Sequence, residues 1–178
     1  MNTTQNDVIL VDEFDTEIGQ MEKLEAHQKG VLHRAFSVLI FNSKKELLLQ
    51  QRAFGKYHSE GLWTNACCSH QAANETTFEA ATRRLKEEMG MTCSFKEGFK
   101  FRYKTELENN LIENELDHVI LGFSDENPIL NPSEAQDFKW ISIDDLLKDM
   151  HQHPEKYTVW FKLILLDHYQ KLIQSLNL

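Results

Sequence analysis

The chain has 178 residues, of which 41% are hydrophobic and 26% charged, and a net charge of −9. The composition is that of a soluble globular domain, and the acidic balance argues against nucleic acid as a partner, since duplex binding needs a broad cationic face. No apolar run approaches the roughly 20 residues of a membrane span. Residues 1–6 show neither a basic nor an apolar segment, so no signal peptide is expected.

The chain reads as one domain over residues 1–178. It has no repeat or Pro/Gly-rich linker, and its three prolines, Pro128, Pro132 and Pro154, all fall late. Val8–Asp12 and Phe36–Phe41 are predicted strands, the second apolar enough to be buried. The polar turn 42–46 leads into Leu47–Gln51, which predicts a hairpin. If Thr64–His70 is extended, Cys68 and His70 lie on one side of it. Glu75–Gly90 reads as a helix: Phe78, Ala81, Leu85 and Met89 recur at helical spacing, Thr76 and Glu79 have capping-box spacing, and Gly90 is a natural stop. Phe95–Lys104 and Glu115–Phe123 read as strands joined through Glu108-Asn109-Asn110. Phe138–Ile141 is a short strand, and Ser142 opens another helix. Tyr157–Leu176 reads as one long amphipathic helix. Strands, a helix, more strands and two helices imply an α+β fold in layers.

Glu75, then Arg83 after seven residues, then Leu85-Lys86-Glu87-Glu88-Met89-Gly90-Met91 match E-x7-R and U-x-E-E-x-G-U, where U is aliphatic. This is the spacing of the Nudix box, a loop-helix motif that holds a divalent metal against a diphosphate. Two positions depart from it. Ser69 stands where the box opens with glycine, and Arg84 stands where it has glutamate. Arg84 inverts a charge that hydrolysis requires, and an arginine favours binding an anion. The plainer alternative is an i,i+4 pair between Arg84 and Glu88 on a solvated helix face. The match spans Glu75 to Met91, which favours a diphosphate site that does not cut diphosphates.

His27, His33 and His70 with Glu113 and Glu115 offer three imidazoles and two carboxylates, suitable for zinc, manganese or magnesium. Glu113 and Glu115, two apart, face the same way in an extended segment. Taken singly, each histidine fits a packed or surface role as well, and spacing alone does not bring these positions together. The three cysteines are Cys67, Cys68 and Cys93; an odd number with two adjacent fits a reducing cytoplasm rather than a disulfide framework. Cys67 and Cys93 read as small buried hydrophobes. Cys68, two residues from His70, shares its side of an extended segment. Lys23, Arg52, Lys56, Arg84 and Arg102 are scattered cations whose default place is solvated surface.

Together these segments resemble type I isopentenyl diphosphate isomerase, a Nudix-like family of isoprenoid synthesis. The carriers are Glu22–His27 with Leu32–Ser37, Gln51-Arg52-Ala53, Trp63–His70, Arg83–Gly90, Phe101-Arg102-Tyr103 with Glu113-Asn114-Glu115, and Trp160, covering about residues 8 to 165. The Trp-Thr-Asn-x-x-Cys-x-His string with Glu-Asn-Glu is the specific part. Gln71 stands where the family often has proline, and Ser59-Glu60-Gly61 replaces a frequent Pro-Gly run.

The resemblance implies a Nudix-like α/β/α sandwich with a mixed sheet. It implies one divalent metal (Mn²⁺, Zn²⁺ or Mg²⁺) at His27, His33, His70, Glu113 and Glu115. A Mg²⁺ ion that bridges to the diphosphate would be held by Glu88 and the Cys68 carbonyl. Cys68 and Glu115, the latter with Tyr103, would exchange protons on opposite faces of the substrate. Trp160 would face the cationic intermediate, and Lys23, Arg52, Lys56 and Arg84 would hold the diphosphate. The N-terminal segment and the Trp160 helix would close over the substrate. The partner would be a small allylic or homoallylic diphosphate, with no nucleic acid or membrane, and the protein a cytoplasmic monomer or homodimer. A Nudix-fold protein that senses a diphosphate without turnover is the open alternative; Arg84 disfavours a nucleoside diphosphate hydrolase.

Overall fold

β3 (His33–Phe41) is the axis of the molecule. Its run of β-branched and aromatic residues suits a strand buried on both faces. In the computed structural model, which describes residues 7–56 and 58–176, β3 pairs in parallel with β8 (Ile112–Phe123) and antiparallel with β6 (Cys67–Ser69). The N-terminal hairpin of β1 (Asp7–Val11) and β2 (Glu17–Glu22) joins through Leu10 and His33. β7 (Phe95–Glu106) pairs with β8. β4 (Glu46–Arg52) pairs with β5 (Trp63–Asn65) and β9 (Ala135–Ser142). Among the described residues this is one mixed sheet of nine strands.

The predicted hairpin exists only at its tip. β3 and β4 are matched at Phe41 and Leu47 and nowhere else, because β6 and β8 occupy the flanks of β3 while β5 and β9 occupy those of β4. The two strands splay, and the consecutive strands β5 and β6 bridge them, β5 on β4 and β6 on β3.

Alternation along the strands sorts the core into two faces. Phe36, Val38 and Ile40 pack with Cys67 and with Ala80, Ala81, Leu85 and Met89 of α2 (Thr77–Met89). Leu39, Phe41, Val119 and Leu121 pack on the other face with Leu146, Trp160, Phe161 and Leu172. These last come from α3 (Ile143–Gln152), α4 (Val159–Lys162) and α5 (Tyr169–Leu176). The expected layers of helix, sheet and helix are therefore present.

The Thr76–Glu79 capping box forms in both directions and starts α2 at Thr77, so Glu75 lies before the helix. Gly90 ends it at φ 63°, where a Cβ would stand 2.6 Å from the Ile129 carbonyl oxygen. The predicted helix 157–176 is interrupted. Leu163–Asp167 widens into a π-helical turn, and His168 leaves helical geometry before α5 begins. β2 and α1 (Lys23–Lys29) had no clear periodic signal. No helix is long and apolar enough to cross a membrane among the described residues. The reading of residues 1–6 lies outside them.

Candidate active site

Four elements bring the histidines together. α1 ends at Gly30 and carries His27; β3 begins at His33; His70 follows β6; and β8 places Glu115 opposite His33 in the parallel register. One ligand atom from each of His27, His33, His70 and Glu115 falls within 4.8 Å of the others. His27 Nδ1 is 2.6 Å from the Lys23 carbonyl oxygen, and His33 Nδ1 is 2.8 Å from that of Val31. A carbonyl only accepts, so both rings donate from Nδ1. Their Nε2 lone pairs are then left to the interior. His33 Nε2 faces Glu115 Oε1 at 3.4 Å. A lone pair against a carboxylate oxygen is repulsive, so this contact calls for a cation, either a proton or a metal ion, between the two atoms.

Burial, with the nearby Lys23 charge, pulls His70 down to about 3, so imidazolium does not supply that cation there. His70 Nε2 lies 2.9 Å from Glu115 Oε1, and its buried Nδ1 makes no hydrogen bond among the described residues. The donor set of three imidazoles and a carboxylate fits a divalent metal.

Glu113 sits one step outside this cluster. The Tyr103 hydroxyl bonds Glu113 Oε2 and lies 2.7 Å from Glu115 Oε2. One phenol hydrogen does not serve both oxygens, so a second proton belongs to the trio. Burial and the adjacent Glu115 charge push Glu113 up. Burial works the same way on Glu115, but His33 and His70 outweigh it and hold that carboxyl low. The two carboxyls are thus pushed apart, Glu113 toward holding a proton and Glu115 toward losing one. Glu113 Oε1 also faces His58 Nε2 at 3.6 Å.

The Thr64–His70 segment is two strands broken at Ala66 rather than one. It still points its cysteines to opposite sides. Cys67 joins the core face of α2, its Sγ 3.4 Å from Glu88 Oε1. Cys68 opens on a cavity of about 60 Å³ that also touches Glu115, Trp160 and Arg84. Burial, then the Asp117 and Glu115 carboxylates, push the Cys68 thiol well up, so it holds its proton at neutral pH.

The proposed diphosphate cations converge on the same cavity, and they already hold partners. Arg84 Nη2 lies 2.9 Å from Glu88 Oε1 and 3.4 Å from Glu134 Oε1. Lys56 pairs with Glu134. Arg52 donates to the carbonyls of Ser59 and His58 at 3.0 and 3.1 Å, with its guanidinium 5.4 Å from the Trp160 ring centre. Lys23 is lowered by burial. A cleft of about 240 Å³ adjoins, sharing Lys23, Lys56, His70, Arg84 and Glu134 with the cavity. Trp160 is 2% exposed, and its Nε1 donates to Thr64 Oγ1 at 2.9 Å.

Residues 31–161 match the NUDIX domain. Isopentenyl-diphosphate Delta-isomerase 2 of Aromatoleum aromaticum is 50% identical over 161 residues, 90% of this chain and 85% of that one. The isopentenyl-diphosphate Delta-isomerase of Pectobacterium atrosepticum is 53% identical over 157 residues, 88% of each. The chain belongs to the isopentenyl-diphosphate Delta-isomerase family. Among solved structures, a Deinococcus radiodurans protein superposes with a TM-score of 0.68 at 20% identity, covering 82% of this chain and 89% of that one. The MutT protein of Methanosarcina mazei gives 0.63 at 20% identity, covering 79% and 94%. At such identities these two likenesses show the NUDIX fold alone.

In this isomerase the box departures have a visible consequence. Arg84 faces the cavity while also pairing with Glu88; the i,i+4 pair therefore exists, but against a buried carboxylate rather than on a solvated helix face. Glu88 is fixed from two other sides by Gln50 Nε2 at 2.9 Å and by Cys67. The sequence reading missed His58, Gln50, Glu134, Ser37 and Asp117. Ser37 and Asp117 did carry a signal: each is a polar residue inside an apolar strand, and both are 0% exposed.

Proposed function

We propose that this chain converts isopentenyl diphosphate into dimethylallyl diphosphate, with Cys68 and Glu115 as its acid/base pair. The observation that carries the reading is that a half-buried thiol, a buried carboxylate and an indole line one cavity with four cations suited to a diphosphate cradle. Moving the double bond requires a proton added at the terminal alkene carbon and another removed from the CH₂ on the other side of the substituted carbon. The intermediate has tertiary carbocation character. Trp160 offers it a π face, and the carboxylates beside Tyr103 offer fixed negative charge. Cys68 exchanges a proton on one face of the substrate; Glu115 exchanges the other, with Tyr103 bonded to it. Lys23, Arg52, Lys56 and Arg84 hold the diphosphate. Its arrival releases Lys56 and Arg84 from Glu134.

A divalent ion (Mn²⁺, Zn²⁺ or Mg²⁺) held by His27, His33, His70 and Glu115, with Glu113 joining them, would fix the Glu115 carboxylate, and Mg²⁺ at Glu88 and the Cys68 carbonyl would neutralise the diphosphate. Closure of the N-terminal segment and the Trp160 helix keeps water from the cation. The protein works as one domain, in the cytoplasm, as a monomer or homodimer.

The test is incubation of purified protein with isopentenyl diphosphate and Mg²⁺, followed by product analysis. Dimethylallyl diphosphate without free phosphate is expected. Saturable binding without turnover, or phosphate release, would overturn the reading.

A further inference from the structure

Ser37 occupies the centre of β3, directly opposite Cys68 in the β3–β6 register. Its neighbours Phe36, Val38, Leu39 and Ile40 are all buried apolar side chains. A hydroxyl placed there has an energetic cost unless it is bonded. Ser37 Oγ lies 2.8 Å from Asp117 Oδ2 and 3.7 Å from Cys68 Sγ. Asp117 follows Glu113 and Glu115 at two-residue spacing on β8, so all three carboxyl groups project from the same side of the strand. Its second oxygen, Oδ1, is buried and makes no hydrogen bond among the described residues. Two buried polar side chains therefore stand behind the thiol, joined to each other and to it.

The geometry assigns Ser37 as the positioning residue of the Cys68 thiol, with Asp117 as the acceptor that fixes the direction of the Ser37 hydroxyl. This rests on Cys68 being the acid/base thiol proposed above. A serine hydroxyl has one hydrogen and two lone pairs. That hydrogen serves only one of the two contacts, and the 2.8 Å contact to Asp117 Oδ2 takes it over the 3.7 Å contact to Cys68 Sγ, which leaves a lone pair for the S–H of Cys68. The chain runs Cys68 S–H to Ser37 Oγ, then Ser37 O–H to Asp117. Without it the thiol rotates freely about its C–S bond. With it the S–H lies along the sheet, and the sulfur presents one fixed side to the cavity. A reacting group held in one orientation is worth a large factor in rate, and a small misplacement can remove about 100-fold.

Ser37→Ala, Ser37→Thr and Asp117→Asn test this in the full chain loaded with Mg²⁺. Ser37→Ala should lower kcat about 10- to 100-fold. KM for isopentenyl diphosphate and bound-metal content should stay within about twofold, because a kcat-selective loss marks a transition-state effect. Ser37→Thr keeps the hydroxyl, and Asp117→Asn keeps an acceptor for it, so both should retain most of kcat. The Raman S–H stretch of Cys68, read in a Cys67→Ala/Cys93→Ala background, should move to higher frequency in Ser37→Ala and stay in place in the other two. That band is read without substrate, so it separates the hydrogen bond from the proposed reaction. If wild type does not isomerise but the band shifts, the function fails and the hydrogen bond stands. An unchanged band and kcat in Ser37→Ala would overturn the assignment. Equal loss in Asp117→Asn would also overturn it, as would failure of Ser37→Thr to restore kcat where both variants fold.

Discussion

His33, Cys68 and Glu115 project from paired strands of one sheet, whereas Lys56, Arg84 and Glu134 reach toward one another from a loop, a helix and a second loop. At the first end, backbone pairing fixes each side chain, and hydrogen bonds to carbonyls orient His27 and His33. At the second end, cations are held by carboxylates. On the proposed function, the rigid end positions the reacting atoms and the second end exchanges its carboxylates for the diphosphate. Substitutions at the strand end should therefore appear in kcat, and those in the cradle in KM.

The largest effect should come from Glu115→Gln, which strikes two roles at once. Gln keeps the shape but neither takes a proton nor neutralises a cation. Loss of about 10³-fold in kcat or more is expected, with weakened metal binding by isothermal titration. Tyr103→Phe should lose less, since it removes only a hydroxyl from the trio. A larger loss in Tyr103→Phe would move the acid/base role away from Glu115.

Next comes the cysteine pair. Cys68→Ala should lower kcat about 10²- to 10⁴-fold, while Cys67→Ala, on the opposite face, keeps most activity. Steady-state assays of both variants decide it, and equal losses would break the distinction between the two faces.

In the cradle, Arg84→Glu restores the residue of the hydrolase box. It places a carboxylate beside Glu88 and Glu134, so KM should rise, about 10-fold or more given the charge-assisted bonds removed. No efficient hydrolase should result. Phosphate release from nucleoside diphosphates at ordinary hydrolase rates would contradict the reading of that end.

The smallest effect concerns the box arginine that serves the fold. Arg83 bonds both Glu75 oxygens at 2.6 and 2.8 Å and holds the Glu75 carboxyl below its usual range. A lowered carboxyl contributes stability above its unfolded pKa, and that stability is lost as pH falls through the folded value. The pair is partly solvated, so Glu75→Gln should cost about 0.2 to 1 kcal/mol at pH 7. The difference in Tm between the two proteins should narrow as pH falls below about 4. A gap that stays constant as the carboxyl is titrated would show that the pair is not its source.

Much of this was legible in the chain. The α2 capping box, its Gly90 stop and the strands around 36–41 and 95–123 follow from local pattern, and the structure has them at nearly the same bounds. The splayed β3–β4 pair was not legible, because what separates the strands is competition from β8 and β9, far along the chain. The break at 163–168 was hidden because a π-helical turn keeps its apolar residues in the same rough spacing. His58 and Glu134 lie in irregular segments with no period to mark them. The grouping of His27, His33 and His70 came from the family resemblance, since no local rule joins α1, β3 and β6. Ser37 and Asp117 are readable in the chain as polar residues in apolar strands.

The most direct test of the central claim is hydrogen exchange in deuterium oxide, comparing wild type with Glu115→Gln on isopentenyl diphosphate and Mg²⁺ and reading product and recovered substrate by mass spectrometry. The wild-type product should carry deuterium in its new methyl group, while Glu115→Gln should form almost no product and leave the recovered substrate unlabelled. Deuterium uptake and turnover near the wild-type rate in Glu115→Gln would contradict the assignment of Glu115 to the chemistry.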